Sequence, residues 1–75
     1  MISMELIHAD NLTPDQLMPE DLIEIEDGIV EVVSIDSDST GDKYFIEYRD
    51  EFGEVDVIEY NFNSKIKLFV FIQGE

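Results

Sequence analysis

KYFIEYRD-EFG-EVDVIEY, residues 43–60, decides the fold. Tyr44, Ile46 and Tyr48 alternate with Phe45, Glu47 and Arg49, and Val55 and Val57 alternate with Glu54, Asp56 and Ile58. In an extended strand successive side chains point to opposite faces, so a period of two in β-branched and aromatic residues predicts strands. Between the two runs Asp50-Glu51-Phe52-Gly53 supplies turn chemistry. Gly53 can take a positive φ that a side chain would resist. The stretch is predicted to be a β-hairpin.

Similar logic extends outward. Residues 21–26 (DLIEIE) and 29–36 (IVEVVSID) read as strands joined by a tight turn at Asp27-Gly28. Residues 37–42 (SDSTGD) form a polar loop into the hairpin, 61–64 (NFNS) a short turn, and 65–72 (KIKLFVFI) a last strand. Upstream, Thr13-Pro14-Asp15-Gln16 is a helix-start signal: Thr13 as N-cap, Pro14 at the first helical position, Gln16 three residues after the cap. Pro19 follows almost at once, limiting it to a single turn. Residues 2–8 (ISMELIH) fit either a short strand or an ordered arm. The expected organisation is one domain: an arm with one helical turn over 1–20, then a mainly β body over 21–75. Five short strands with tight connections describe a small antiparallel barrel.

Residues 9–35 (ADNLTPDQLMPEDLIEIEDGIVEVVSI) resemble the opening of SH3-like barrels, including small proteins encoded by phages. There a Leu-x-Pro-Gly-Asp step leads into the first strand. Here Met18-Pro19-Glu20-Asp21 has Glu20 where that step has glycine. The resemblance implies a five-stranded SH3-like barrel, with a helical turn before the last strand where NFNS stands. A shared fold says little about activity.

Charge is the strongest functional signal. The chain has 75 residues, 19 of them acidic and 4 basic, for a net charge of −15. Five phenylalanines, three tyrosines and 44% hydrophobic residues are enough to fold despite that charge. So acidic a surface repels phosphates and anionic membranes and favours basic partners. Direct nucleic-acid binding is not expected, because Lys43, Arg49, Lys65 and Lys67 are surrounded by carboxylates and form no basic groove. No apolar run approaches the roughly 20 residues that span a bilayer, and no signal peptide opens the sequence. A cytoplasmic protein with no membrane partner is expected. There is no cysteine, which excludes disulfides and Cys-based zinc sites.

Catalytic and metal-binding patterns are weaker. Asp36, Asp38, Thr40, Gly41 and Glu47 fall on positions 1, 3, 5, 6 and 12 of the EF-hand loop. The flanks alternate with period two, however, and that motif needs helices. His8 is the sole histidine and has no Cys or second His to join it. The serines lie in no nucleophile motif. No enzyme, no cofactor and no metal site are expected.

The carboxylates remain. Glu24 and Glu26, and Glu54 and Asp56, are two apart; strand geometry would put each pair on one face, roughly 6.6 Å apart, with neighbouring strands about 4.8 Å away. With Glu31, Glu47 and Glu59 they make a candidate protein-binding surface carrying rows of negative charge, as duplex DNA does. Small acidic phage proteins that disable DNA-binding proteins are similar in size and charge. The leading expectation is a nucleic-acid mimic that binds and inhibits a basic DNA-binding protein. The runner-up is an assembly module that self-associates through its last strand, and a cation-binding module is third. In that strand Ile66, Leu68, Val70 and Ile72 are expected to face the barrel. Phe69 and Phe71 then point outward as a homodimer interface, unless Ile2, Met4 and Leu6 cover them.

Overall fold

The computed structural model describes residues 3–74, without the side chains of residues 3, 4, 73 and 74. Six antiparallel strands form one sheet: β1 (Ser3–Leu12), β2 (Leu22–Ile25), β3 (Gly28–Ser37), β4 (Lys43–Arg49), β5 (Val55–Asn61) and β6 (Ile66–Gly74). Their order is β1-β6-β2-β3-β4-β5. The mainly β, antiparallel class is as expected, but the count and closure are not. There are six strands rather than five, and among the described residues no ladder joins the outer strands β1 and β5 into a barrel.

The additional strand is β1, which replaces the expected N-terminal arm. It pairs with β6 from Ser3↔Gly74 to Leu12↔Ile66, with a register shift between His8 and Asp10. That irregularity takes Ala9 out of the ladder and breaks the two-residue period, which is why residues 2–12 do not read clearly as a strand. A 3₁₀ turn (Pro14–Gln16) follows. The Oε1 of Gln16 accepts the Thr13 N–H at 3.1 Å, and the Thr13 hydroxyl donates to the Asp15 carboxylate. NFNS makes a turn without a helix, closed by the Ser64 N–H donating to the Asn61 carbonyl at 3.0 Å.

The core gathers Ile23 from β2, Val30 and Val32 from β3, Ile46 from β4 and Ile66 from β6 into one buried cluster. Leu17 closes it from the loop after the 3₁₀ turn. Tyr44, Tyr48, Ile58, Tyr60 and Leu68 pack around it half-buried. Cross-strand pairs share a face, so Ile23↔Val30, Val32↔Tyr48 and Ile46↔Ile58 line the inner side.

One part of the molecule escapes this core. β2 pairs with β6 only at Leu22↔Phe69 and Ile23↔Leu68. Beyond Phe69, among the described residues, β6 has β1 as its sole neighbour in the sheet, and the two continue as a two-stranded ribbon. The principal extents are 49 × 25 × 19 Å, and the Cα radius of gyration of 13.2 Å exceeds the roughly 11 Å of a compact 75-residue domain. Val70 and Ile72, expected inside, are 38% and 39% exposed. Their alternation is right, but nothing in the sheet roofs them. β2 does not extend along β6 beyond Leu22↔Phe69. The chain turns instead at Met18–Asp21 onto β3, where the Glu20 N–H donates to the Val32 carbonyl and the Val32 N–H to the Asp21 carbonyl, both at 2.8 Å.

Candidate functional site

The predicted carboxylates do not form one row. On the outer sheet face Glu24, Glu31, Glu47 and Glu59 come from β2, β3, β4 and β5. Three of them meet three of the four basic residues. Glu24 lies 3.7 Å from Lys67, Glu31 3.8 Å from Arg49, and Glu59 3.7 Å from Lys43. Glu47 accepts a hydrogen bond from the Ser34 hydroxyl at 3.2 Å. All three ion pairs are solvent-exposed, so each contributes at most about 1 kcal/mol to stability, but together they make this face mixed in sign.

Glu26 lies past the end of β2, in the turn, and so does not continue a row with Glu24. Glu54 precedes β5, and Asp56 stands opposite Tyr48 on the inner side. These latter carboxylates belong to a different constellation. The β2–β3 and β4–β5 turns lie at the same end of the sheet and flank an open cleft of about 500 Å³. Asp27, Asp50, Glu51, Glu54 and Asp56 line it, with Tyr48 and Phe52 as its aromatic members. Among the described residues no Lys or Arg lines it.

Each wall of the cleft has a local cause. Gly28 has φ 132° and Gly53 φ 82°, conformations that glycine takes without strain, and these close the two hairpin turns. Asp50 holds the second turn: its Oδ1 accepts the N–H groups of Phe52 and Glu54, both at 2.9 Å. The turn thereby holds Phe52 outward, 82% exposed. Removal from water pushes the Tyr48 hydroxyl above its ordinary pKa of 10.0, and the charges of Asp56, Asp27 and Asp50 add to the shift. The cleft therefore carries a negative field that opposes a further negative charge and favours a cation.

The calcium-like loop is organised from within. Asp38 Oδ1 accepts the Asp42 N–H at 3.1 Å, and the Thr40 hydroxyl donates to the same carboxylate at 2.9 Å. These bonds hold the Asp38 carboxyl below its ordinary pKa of 3.8, the Thr40 bond contributing most. Glu47 lies in mid-β4, across from Ser34 rather than over the loop. His8 is exposed; its Nε2 lies 3.0 Å from the Asp10 carbonyl and 2.8 Å from Asn11 Oδ1. Both are acceptors, so Nε2 carries a proton.

Phe69 is half-buried and Phe71 is 56% exposed. Leu6 stands beside Phe71 as its cross-strand neighbour and leaves it open to solvent. The expected covering by Ile2 and Met4 lies outside the described side chains.

Sequence reasoning missed Asp27, Asp50, Glu51, Tyr48 and Phe52 as one site. The signal was present: in an up-and-down run of β2, β3, β4 and β5, alternate turns fall at the same end. No protein-family model, curated protein or solved structure matches this chain. Among the described residues no helix is long and apolar enough to cross a membrane.

Proposed function

We propose that this chain is a non-enzymatic, acidic protein-binding module that takes up Lys and Arg side chains of a basic DNA-binding protein and so excludes DNA. Its scaffold would be a variant of the SH3-like barrel seen in small phage proteins, opened and extended by β1. The observation that carries the reading is the separation of paired and unpaired carboxylates. The outer-face acids Glu24, Glu31 and Glu59 face cations of their own chain, whereas no basic residue lines the cleft around Asp27, Glu54 and Asp56. Five carboxylates around two aromatic rings suit an incoming guanidinium or ammonium group, which gains both charge pairing and a ring face. The same groups repel a phosphate, so the partner's basic surface is engaged in place of DNA.

The test is competition. A histone-like basic protein is bound to labelled duplex DNA at low salt, and this chain is titrated in. Displacement of the DNA is expected, with an apparent affinity that falls steeply as salt rises. The triple substitution Asp27→Asn, Glu54→Gln, Asp56→Asn should weaken displacement about tenfold or more, since it removes several charge pairings and a decade corresponds to roughly 1.4 kcal/mol. Glu24→Gln, on the mixed-sign face, should change it little. Failure to displace DNA from any of several such proteins at low salt would overturn the reading.

A further inference from the structure

One edge of the sheet is both unpartnered and acidic. Among the described residues β5 pairs with β4 alone, so its far side is an edge. The register of that pairing fixes which backbone groups face outward. The Asp50 N–H donates to the Glu54 carbonyl and the Phe62 N–H to the Asp42 carbonyl, both at 2.9 Å, and no register shift interrupts the ladder between them. Antiparallel pairs alternate between hydrogen-bonded and non-bonded, so Asp56, Ile58 and Tyr60 also bond to β4, and Val55, Val57 and Glu59 turn their N–H and carbonyl groups outward.

Sheet edges are commonly blunted by lysine, proline or a bulge. β5 (VDVIEYN) has none of these, whereas β1 at the opposite edge is broken by the register shift between His8 and Asp10. One blocking contact is present on β5: Asp56 Oδ1 accepts the Val57 N–H, an outward donor, at 2.8 Å. The side chains along this edge are apolar on the outer face, with Val55 49% and Val57 54% exposed, and acidic toward the cleft at Glu54 and Asp56.

Resting on the reading of the cleft carboxylates as a site for Lys and Arg, we propose that the β5 edge takes up an extended basic segment of a partner protein as an antiparallel seventh strand. Charge selects that occupant. An added strand places one side chain opposite Asp56 in a non-hydrogen-bonded pair, where Cα atoms stand only about 4.5 Å apart. A Lys or Arg there pairs with the carboxylate and draws it off the Val57 N–H, which then donates to the incoming strand. An apolar residue offers the carboxylate no such exchange. A second copy of β5 would set like charges across the new ladder, which is destabilising. The segment that fits best alternates, with basic residues beside Glu54 and Asp56 and β-branched residues beside Val55 and Val57. In strand addition of this kind main-chain bonds supply affinity and alternate side chains supply specificity.

The probe is a synthetic peptide, Thr-Lys-Val-Lys-Val-Lys-Thr, titrated into the full chain at low salt and read by amide exchange. At about ten times its Kd, protection at the Val55, Val57 and Glu59 amides should rise about tenfold, while Ile58 and Tyr60, already bonded to β4, change little. The same peptide N-methylated at its valines keeps every charge but cannot donate along the ladder, and should give no such rise. A peptide with Glu in place of Lys should not bind. In the chain, Val57→Pro removes an outward N–H at a position where an edge strand tolerates proline, and should abolish the effect. Should that variant fail to fold, the N-methylated peptide decides. Unchanged protection at Val55, Val57 and Glu59, equal protection by the N-methylated peptide, or binding of the Glu peptide would each overturn the proposal. DNA displacement is read separately, on a folded basic protein. Displacement without edge protection rejects the seventh strand and leaves the cleft reading, whereas edge protection without displacement rejects the exclusion of DNA and leaves the seventh strand.

Discussion

The two halves of β6 share one alternation and meet opposite fates. Ile66 is 2% exposed and Leu68 half-buried, while Val70 and Ile72 on the same face are open to solvent. The difference lies in the neighbours. The first half runs between β1 and β2; the second, among the described residues, has β1 alone. Periodicity reports which side chains share a face. It does not report whether anything lies on that face.

Truncating an isoleucine in the closed core and one in the ribbon should have unequal costs. Ile66→Ala and Ile46→Ala each empty a site in the closed core and should cost about 2–5 kcal/mol. A domain of this size has only about 4–11 kcal/mol in total at typical per-residue values, so either change should leave a substantial unfolded population on warming. Ile72→Ala, measured by denaturant unfolding at low micromolar concentration, should cost less, about 1 kcal/mol, since Ile72 is already 39% exposed and its loss leaves no closed cavity. Equal costs at Ile66 and Ile72 would mean that the ribbon is covered within a single chain.

The same strand marks how far the fold was legible. The 43–60 hairpin, the β2–β3 hairpin and the Thr13–Gln16 start signal are local and appear where the spacing placed them, although the β2–β3 turn falls on Glu26-Asp27, one residue earlier than expected, with Gly28 opening β3. Hairpins fix their own register through turn chemistry, so a short window suffices. The pairing of β1 with β6 joins residues some 60 apart, and the bulge at Ala9 erases its only local trace. The site was half legible for a related reason. Glu54 and Asp56 were singled out as acids, but their grouping with Asp27 and Asp50 depends on two separate turns meeting across β3 and β4.

The next largest effect lies where β2 declines to follow β6. Glu20 has φ 78°, in the left-handed region that favours glycine. A side chain there costs on the order of 1 kcal/mol or more in strain. Glu20→Gly should therefore stabilise the chain by about 0.5–1 kcal/mol after the added flexibility of the unfolded state is counted. A denaturant midpoint that falls instead would show that the Glu20 side chain holds this turn.

Acid should act away from β6, in the β3–β4 loop. The folded-state pKa of Asp38 lies below its ordinary 3.8. Its contribution is thus present above the ordinary value and lost as pH falls through the lower folded value. In Asp38→Asn the acid dependence below about pH 4 should flatten, and the amide protection of Asp42 and Lys43 should drop, because an amide oxygen is a weaker acceptor than a carboxylate. An unchanged acid profile would assign the sensitivity to other carboxylates.

The smallest effect concerns Lys67 and Glu24, which tie the braced half of β6 to β2 on the outer face. At 3.7 Å, with both side chains about half exposed, the pair sits in high dielectric and must hold two long side chains in one geometry. A double-mutant cycle with Lys67→Met and Glu24→Gln should return a coupling of about 0.2–1 kcal/mol, falling as salt is added. Burial of Ile66 and Leu68, rather than this charge pair, then accounts for the stability of the braced half. A coupling well above that range would move the difference between the two halves of β6 from packing to electrostatics, and would predict that high salt loosens the braced half toward the behaviour of the ribbon.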